Sequence, residues 1–362
     1  MDIISPRKTF SFPRLSTLSQ LICMLFFWEM TAAGTTSYIA YASQSTTFTS
    51  VEIGRITLWL LISPILGGLL ATLIADKWKT KYIVLASCII AVLSFYALKF
   101  STNYYSAMFC ALLMGISSST FLVSNNLSLL QLVSPDENRL RMVQSIKEVA
   151  ANLGIATSIV MISRGDSVFQ TISVMYFLFS LIAIKLFSIT RQANKIVISV
   201  SETIAVKPLK KRKLYIVISS VFFLGLIVGR QEWGLPWILL KFDNFKIVSL
   251  VIFMNPILAI LFQIKITRLF SKISSNYILM LSIILLGTGL LSQIYVTSLL
   301  GLFLSCLVLV SGKMLFIPTS SALCFKSVEN NKRGFILGAW QTAFASGAMI
   351  GPTLSFVLTN HF

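Results

Sequence analysis

Apolar residues run through this chain in blocks of about twenty, parted by short polar stretches, and twenty is the length at which an α-helix crosses the hydrocarbon core of a bilayer. Eleven such spans are predicted, at residues 17–41, 54–75, 82–100, 104–125, 142–162, 168–190, 214–240, 247–269, 276–295, 298–324 and 335–359. The stretches between them differ in charge. Scored on alternate sides, one set of loops holds 20 Lys and Arg residues and the other holds 6. Short loops rich in Lys and Arg stay inside, so the N-terminus and the loop bearing Lys77, Lys79 and Lys81 are expected in the cytoplasm.

The pattern repeats. Residues 68–82 read GLLATLIADKWKTKY, and residues 267–277 read TRLFSKISSNY, followed by ILMLS where the first copy has IVLAS, 195 residues later. A second pair of loops shares the spacing: SPDENRLRMVQSIKEVAANLG follows the fourth span and SVENNKRGFILGAWQTAFASG the tenth, with Arg139 and Arg333 194 residues apart. Ser134, Pro135 and Glu137 supply an N-cap, a first-turn proline and a capping-box acid, so the fifth helix is expected to start within its loop. The layout predicts an all-α polytopic membrane protein of two pseudo-symmetric six-helix halves. The first covers residues 1–190, a basic cytoplasmic linker covers 191–213, and a second half with five helices covers 214–362. The linker ends in KPLKKRK, a run suited to anionic lipid. Adding the offset to the sixth span calls for a twelfth at about 362–384, so one helix is expected to be missing and the C-terminus to lie outside.

Composition narrows the class. Of 362 residues, 56% are apolar and 12% charged, with a mean hydropathy of +0.84, too few charges for a soluble domain of this length. The formal charge of +18 sits in the loops with no aromatic-interleaved basic domain, so nucleic acid is not an expected partner. All five cysteines fall in or at the ends of spans and read as small apolar residues, and the single histidine, His361, is next to the last residue. No metal site, cofactor or catalytic constellation is expected, and the chain does not read as an enzyme. The first apolar run is too long for a signal peptide and carries Glu29 in its middle, so it reads as a retained helix.

At this point the chain resembles the major facilitator superfamily, whose members join two six-helix halves through a long middle loop. The family signature between helices 2 and 3 is a Gly, three residues, Asp, Arg, any residue, Gly and two basic residues. Here it stands as Thr72, Asp76, Lys77, Trp78, Lys79, Thr80 and Lys81, with Thr72 and Lys79 in place of both glycines. The resemblance implies that this loop caps a helix end, pairs across the halves in one conformation and so times alternating access, with Asp76, Lys77 and Lys81 as gating residues. A glycine-rich run usually linked to antiport is visible as Gly347, Gly351 and Pro352 in the eleventh span, while only Gly154 stands in the fifth. The arginine expected four residues before Gly115 is absent, with Ala111 in its place.

Ionisable side chains within a span cost about 2.5 to 3.5 kcal/mol each, so those present need a reason. Glu29 lies near the middle of the first span, with Ala33 and Thr36 on its face. Gln144, Lys147, Glu148, Ala151 and Asn152 form one polar stripe on the fifth. Gln341, at the repeat position of Lys147, opens a matching stripe on the eleventh with Thr342, Ala345 and Ser346. Lys313 is the charge well inside the tenth span. Glu29, Thr36, Gln144, Lys147, Glu148, Asn152, Lys313 and Gln341 are therefore the expected substrate and proton pathway. The competing reading is that the charges neutralise one another and hold helices together. Arg230 and Glu232 are expected to form a gating pair where Gly229, Gly234 and Pro236 break the seventh span. Pro64, Pro256 and Pro318 should kink their helices, and Lys185 and Lys265 should snorkel.

The expected function is secondary active transport, driven by an ion gradient, H+, with Glu29 or Glu148 as the protonatable group and Lys147 or Lys313 meeting an anionic or zwitterionic substrate. Trp28, Phe223 and Trp340, taken as cavity-lining, favour export of an amphiphilic compound such as a drug or a siderophore-like metabolite. The alternatives are uptake of a small organic anion or zwitterion, or a truncated non-transporting member acting as sensor or assembly partner. The expected setting is a monomer in the lipid bilayer of the plasma membrane, the bacterial inner membrane, with a small molecule as its partner.

Overall fold

The computed structural model describes residues 15–42, 48–101, 103–133, 136–164, 174, 175, 178, 211–231, 245–295 and 298–360. Ten α-helices lie among them. In the first half they are α1 (Leu15–Ala42), α2 (Ser50–Ile74), α3 (Thr80–Lys99), α4 (Tyr104–Gln131) and α5 (Glu137–Arg164). In the second they are α6 (Lys211–Gly229), α7 (Phe245–Leu269), α8 (Ser275–Tyr295), α9 (Leu299–Lys326) and α10 (Arg333–Asn360). The predicted sixth span except Val174, Met175 and Leu178, all of the linker except Lys211, Arg212 and Lys213, and Ser134, Pro135, Glu232, Gly234 and Pro236 lie outside the described residues.

The helices start where the repeat places them. Ser50, Thr80 and Tyr104, which open α2, α3 and α4, are matched at the repeat spacing by Phe245, Ser275 and Leu299, which open α7, α8 and α9. Glu137 and Arg333, which open α5 and α10, stand at nearly the same spacing. Even the caps correspond. Asn103 accepts from the Tyr105 amide at the start of α4, and its repeat counterpart Ser298 accepts from the Gly301 amide at the start of α9. A full capping box of Thr49 and Glu52 opens α2. By length and composition α2, α3, α4, α6, α8 and α9 suffice to cross a membrane. Pro64, Pro256, Pro318 and Pro352 sit inside α2, α7, α9 and α10.

Packing follows the same symmetry. In the first half α1 packs on α5, and α4 on α2 and α3; in the second, α6 packs on α10, and α9 on α7 and α8. The halves meet through α2 on α10 and through α5 on α7, two contacts that the repeat interchanges. Each half has its own apolar core, one around Leu25, Phe95 and Phe121, the other around Val221, Leu309 and Phe316. A third cluster joins Ala71 of α2, its C-cap Ala75, and Leu127 and Leu130 of α4 to Ala322 and Phe325 of α9 and Leu337 of α10.

Helices α6 and α10 approach each other closely, each carrying glycines four residues apart, Gly225 with Gly229 and Gly347 with Gly351. A Cβ at Gly225 would lie 2.1 Å from the Phe344 carbonyl oxygen, and one at Gly351 would lie 2.4 Å from that of Leu226. In a bilayer, where lipid is as apolar as the side chains, such backbone approach is a main source of helix association. Gly351→Leu should therefore destabilise the fold by about 1 to 3 kcal/mol through overpacking, read as a lower melting temperature in detergent. Gly287→Leu, at a position with nothing within 4 Å, should leave it unchanged.

Candidate functional site

Glu29, Asn152 and Lys313 fall at matching depth in their helices. Glu29 is the fifteenth residue of α1, Asn152 the sixteenth of α5 and Lys313 the fifteenth of α9, and each of these helices has 28 residues. Glu148 and Asn152 from α5, Asn255 and Gln263 from α7, and Lys313 from α9 line a cavity between the halves, with aliphatic side chains filling the rest of its wall. Its free volume of about 10 Å³ has room for about one water. The Glu148 carboxylate lies 3.5 Å from the Lys147 ammonium, and both side chains are largely withdrawn from solvent, at 16% and 12% exposure. Asn152 donates to the Glu148 carbonyl at 2.7 Å, which ties it to its own helix. The site thus brings a carboxylate from one half to an ammonium from the other.

The stripe expected on the fifth helix divides in space. Gln144 is fully buried and donates to Asn126 Oδ1 of α4 at 2.5 Å, and Asn126 donates to Ser321 Oγ of α9 at 3.3 Å. Asn126 and Ser321 stand at the repeat spacing, so each meets its own counterpart and the bond lies on the pseudo-two-fold axis. Along the same helices α4 also buries Ser117, Ser119, Thr120, Ser124 and Asn125, and α9 buries Thr319 and Ser320. This polar knot was not among the expected site residues. Its sequence signal is a comparison of the copies: Ser124, Asn125 and Asn126 stand opposite Thr319, Ser320 and Ser321.

Toward the ends of the helices that carry Asp76 the halves are shut. Ser145 and Thr267 share a hydroxyl hydrogen bond of 2.6 Å between α5 and α7, and Gln263 donates to the Met314 carbonyl beside them. Asp76 accepts from the Gly334 amide at 2.6 Å and from the Phe335 amide at 2.7 Å, capping α10 across the halves. That carboxylate meets the positive end of the helix as well as two otherwise unpaired donors. On the other side of the axis the chemistry is inverted. Ser271 holds the repeat position of Asp76, and there it is Arg141 of α5 that donates to the Ser271 and Ile273 carbonyls, at 3.2 and 3.4 Å. Glu137 adds an ion pair to Lys326 at 3.1 Å and accepts from the Ser275 hydroxyl.

Partial burial raises the Glu137 carboxyl, but the Ser275 hydroxyl, the Lys326 ammonium and Arg141 together outweigh it and hold the group below the usual glutamate range. Lys77 is exposed and Lys81 stacks over the Tyr82 ring at 4.8 Å. Glu29 and Gln341 are half-buried and lie outside the Glu148–Lys313 cavity lining; the Thr36 side chain and Glu232 lie outside the described residues. Instead of joining the cavity, Thr342 of the second stripe packs on Gly68 of α2. Arg230 is buried and donates to Gln293. Among the described residues, the three aromatics expected around the cavity do not line it. Trp28 stacks on Phe121 and donates to Ser118, Trp340 stacks on Phe344 and donates to Ser320, and Phe223 lies on an exposed face of α6.

The family model described as Major Facilitator Superfamily matches residues 21–352. Among solved structures, the human organic anion transporter MFSD10 (TETRAN) superposes with a TM-score of 0.69 at 14% identity, covering 96% of this chain and 94% of that one. The proton:xylose symporter XylE, bound to 6-bromo-6-deoxy-D-glucose, superposes with a TM-score of 0.65 at 14% identity, covering 95% of this chain and 88% of that one. No curated protein matches.

Two outcomes are expected of the closed end. Asp76→Asn should slow transport while leaving substrate binding intact, because a hydrogen bond to a charged acceptor contributes about 1.5 to 3 kcal/mol and the loss falls on the closed state alone; parallel flux and binding measurements check this. Glu137, with its pKa lowered in the closed state, contributes to closure fully above the ordinary glutamate pKa and loses that contribution as pH falls through the lower, closed-state value. Distances between spin labels at the exposed Lys79 and Lys332 should stay short from neutral pH down through the ordinary glutamate range, lengthening only below it, whereas Glu137→Gln should lengthen them at neutral pH.

Proposed function

The chain belongs to the Major Facilitator Superfamily and is a multi-pass secondary transporter, and from that premise we propose that it carries a small organic anion together with a proton by alternating access. The observation that supports this most directly is the cavity shared by Glu148 and Lys313, with Lys147 3.5 Å from the same carboxylate. Two ammonium groups near one carboxylate set the order of events. While Glu148 is ionised it holds the field of both lysines; once it takes a proton, an anionic group on the substrate replaces it as their partner. Proton and anion then enter as a neutral pair, which limits the cost of moving charge through a low-dielectric interior. Such coupling drives solute in the direction of proton flow.

Export of an amphiphile depends on an aromatic lining, and Trp28 and Trp340 are engaged in packing while Phe223 faces away, so the anion reading is preferred. The neighbours named for an organic anion and for proton-coupled xylose share the fold; the choice of an anion rests on the lysines of this chain. In the proposed cycle Asp76 and the Glu137–Lys326 and Arg141 contacts close one end, and the Gln144–Asn126–Ser321 knot seals the path beneath the cavity. Glu29, at the same depth, is the second protonatable group.

The test is the pH inside pyranine-loaded proteoliposomes on adding membrane-impermeant anions, namely gluconate, succinate and glutamate, under an imposed pH gradient. One of them should acidify the lumen faster than in protein-free liposomes. Glu148→Gln should retain exchange of that anion but lose gradient-driven accumulation by at least about 10-fold, the effect of about 1.4 kcal/mol of lost coupling. Full gradient-driven flux in both Glu148→Gln and Glu29→Gln would remove the proton assignment.

A further inference from the structure

Arg230 is not used by the cycle above, and its surroundings are unusual. Helix α6 ends at Gly229, and Arg230 and Gln231 continue it as a wider π-type turn, a form frequent at functional sites. Arg230 is 2% exposed and Gln231 6%. The guanidinium Nη1 donates to Gln293 Oε1 at 2.8 Å, and the Gln293 amide donates to Cys306 Sγ at 3.2 Å. These two bonds fix which way the glutamine points. Arg230 Nε has no partner, nor does Gln231 Oε1. Among the described residues no carboxylate pairs with Arg230.

A guanidinium withdrawn from water without a counter-charge is among the most expensive groups a fold can hold. The C-terminal end of α6 offsets part of it, but a helix end carries only about half an elementary charge. Glutamine and thiol dipoles leave the remainder. With Nη1 engaged, the unpartnered Nε belongs to the edge it forms with Nη2, whose parallel N–H bonds match the two oxygens of a carboxylate. Cys306, which closes the chain of contacts, stands at the repeat spacing from Ala111, the position where the resemblance to the family calls for a helix-4 arginine. The chain lacks that arginine in its first half and buries one beside the equivalent position of its second.

We infer that Arg230 is a binding group for a carboxylate anion, seated in the second half on the Nε edge and apart from the Glu148–Lys313 cavity. The site is a separate one, and it stands whether or not the cavity carries the transported anion. None of the described residues supplies its counter-charge, and the ligand does.

Thermal unfolding of the full chain in detergent at neutral pH and constant ionic strength tests this, with sodium acetate as the probe and acetamide as its neutral isostere. Acetate should raise the melting temperature of the native protein and of Lys313→Gln by about 2–4 °C, and acetamide should raise neither. Arg230→Gln should melt at or above the native temperature without ligand, because the unpaired charge is gone, and should lose the acetate shift. Arg230→Lys keeps the charge without the paired edge and should lose most of the shift while remaining folded. The inference is overturned if Arg230→Gln melts well below the native protein, which makes the arginine a structural hub. It is also overturned if the native protein shows no shift or if Arg230→Gln keeps one. A shift lost in Lys313→Gln and kept in Arg230→Gln assigns the anion to the cavity, which removes this site and leaves the proposed function standing.

Discussion

A polar side chain in hydrocarbon must find a partner, because the surrounding lipid offers none. That constraint orders the whole molecule. Within each half the helices meet through apolar side chains and close backbone approach, as where α6 and α10 touch at Gly225 and Gly351. Between the halves an apolar cluster of Ala71, Leu127, Phe325 and Leu337 is joined by hydroxyl, amide and ion pairs: Ser145 with Thr267, Asn126 with Ser321, Glu137 with Lys326. Apolar packing of that tightness is hard to exchange for another arrangement, whereas a polar contact can be traded for water when a path opens. In the proposed cycle the polar part of the seam is the part that can be exchanged for water.

The two sides of the closed end solve one geometric problem with different means. On one side an acid in the loop caps a helix in the opposite half, through Asp76 and the amides of Gly334 and Phe335. On the other side the loop has lost its acid, and the helix reaches back with Arg141 to the loop carbonyls. The first depends on an uncovered helix start: a Cβ at Gly334 would fall 2.8 Å from the Asp76 carboxylate. The second depends on Glu137 staying ionised. A transporter so built is symmetric in shape and unsymmetric in its response to conditions.

Much of the architecture was legible in the sequence because hydropathy runs and repeat spacing are set by the bilayer and by duplication, and both survive substitution. The starts of α2, α3 and α4 recur in α7, α8 and α9 at the offset that the two loop pairs foretell. The polar knot was not read, because Ser and Asn scattered among Phe, Leu and Val do not interrupt an apolar run. Lys147 and Glu148 were legible, since full charges cannot hide in a span. Which face of a helix looks where was the weakest reading: Phe223 and the Gln341 stripe needed the crossing of α6 and α10 with their neighbours, which no periodicity contains. The missing signature glycine at Thr72 also has an explanation only in three dimensions. Gly338 lies opposite, and a Cβ there would come within 2.7 Å of Thr72, so the close approach is kept with the small residue on the other helix.

The bond between Asn126 and Ser321 bears on where such a chain comes from. In a symmetric pair of half-length chains, a residue on the rotation axis faces its own copy, and the contact must be made by two identical side chains. Two serines or two asparagines satisfy that condition, each able to give and to accept. Fusion into one polypeptide lifts it, and the asparagine and serine found here divide the roles of donor and acceptor. At the axis of this molecule, joining the copies thus freed one self-facing position to become two different residues.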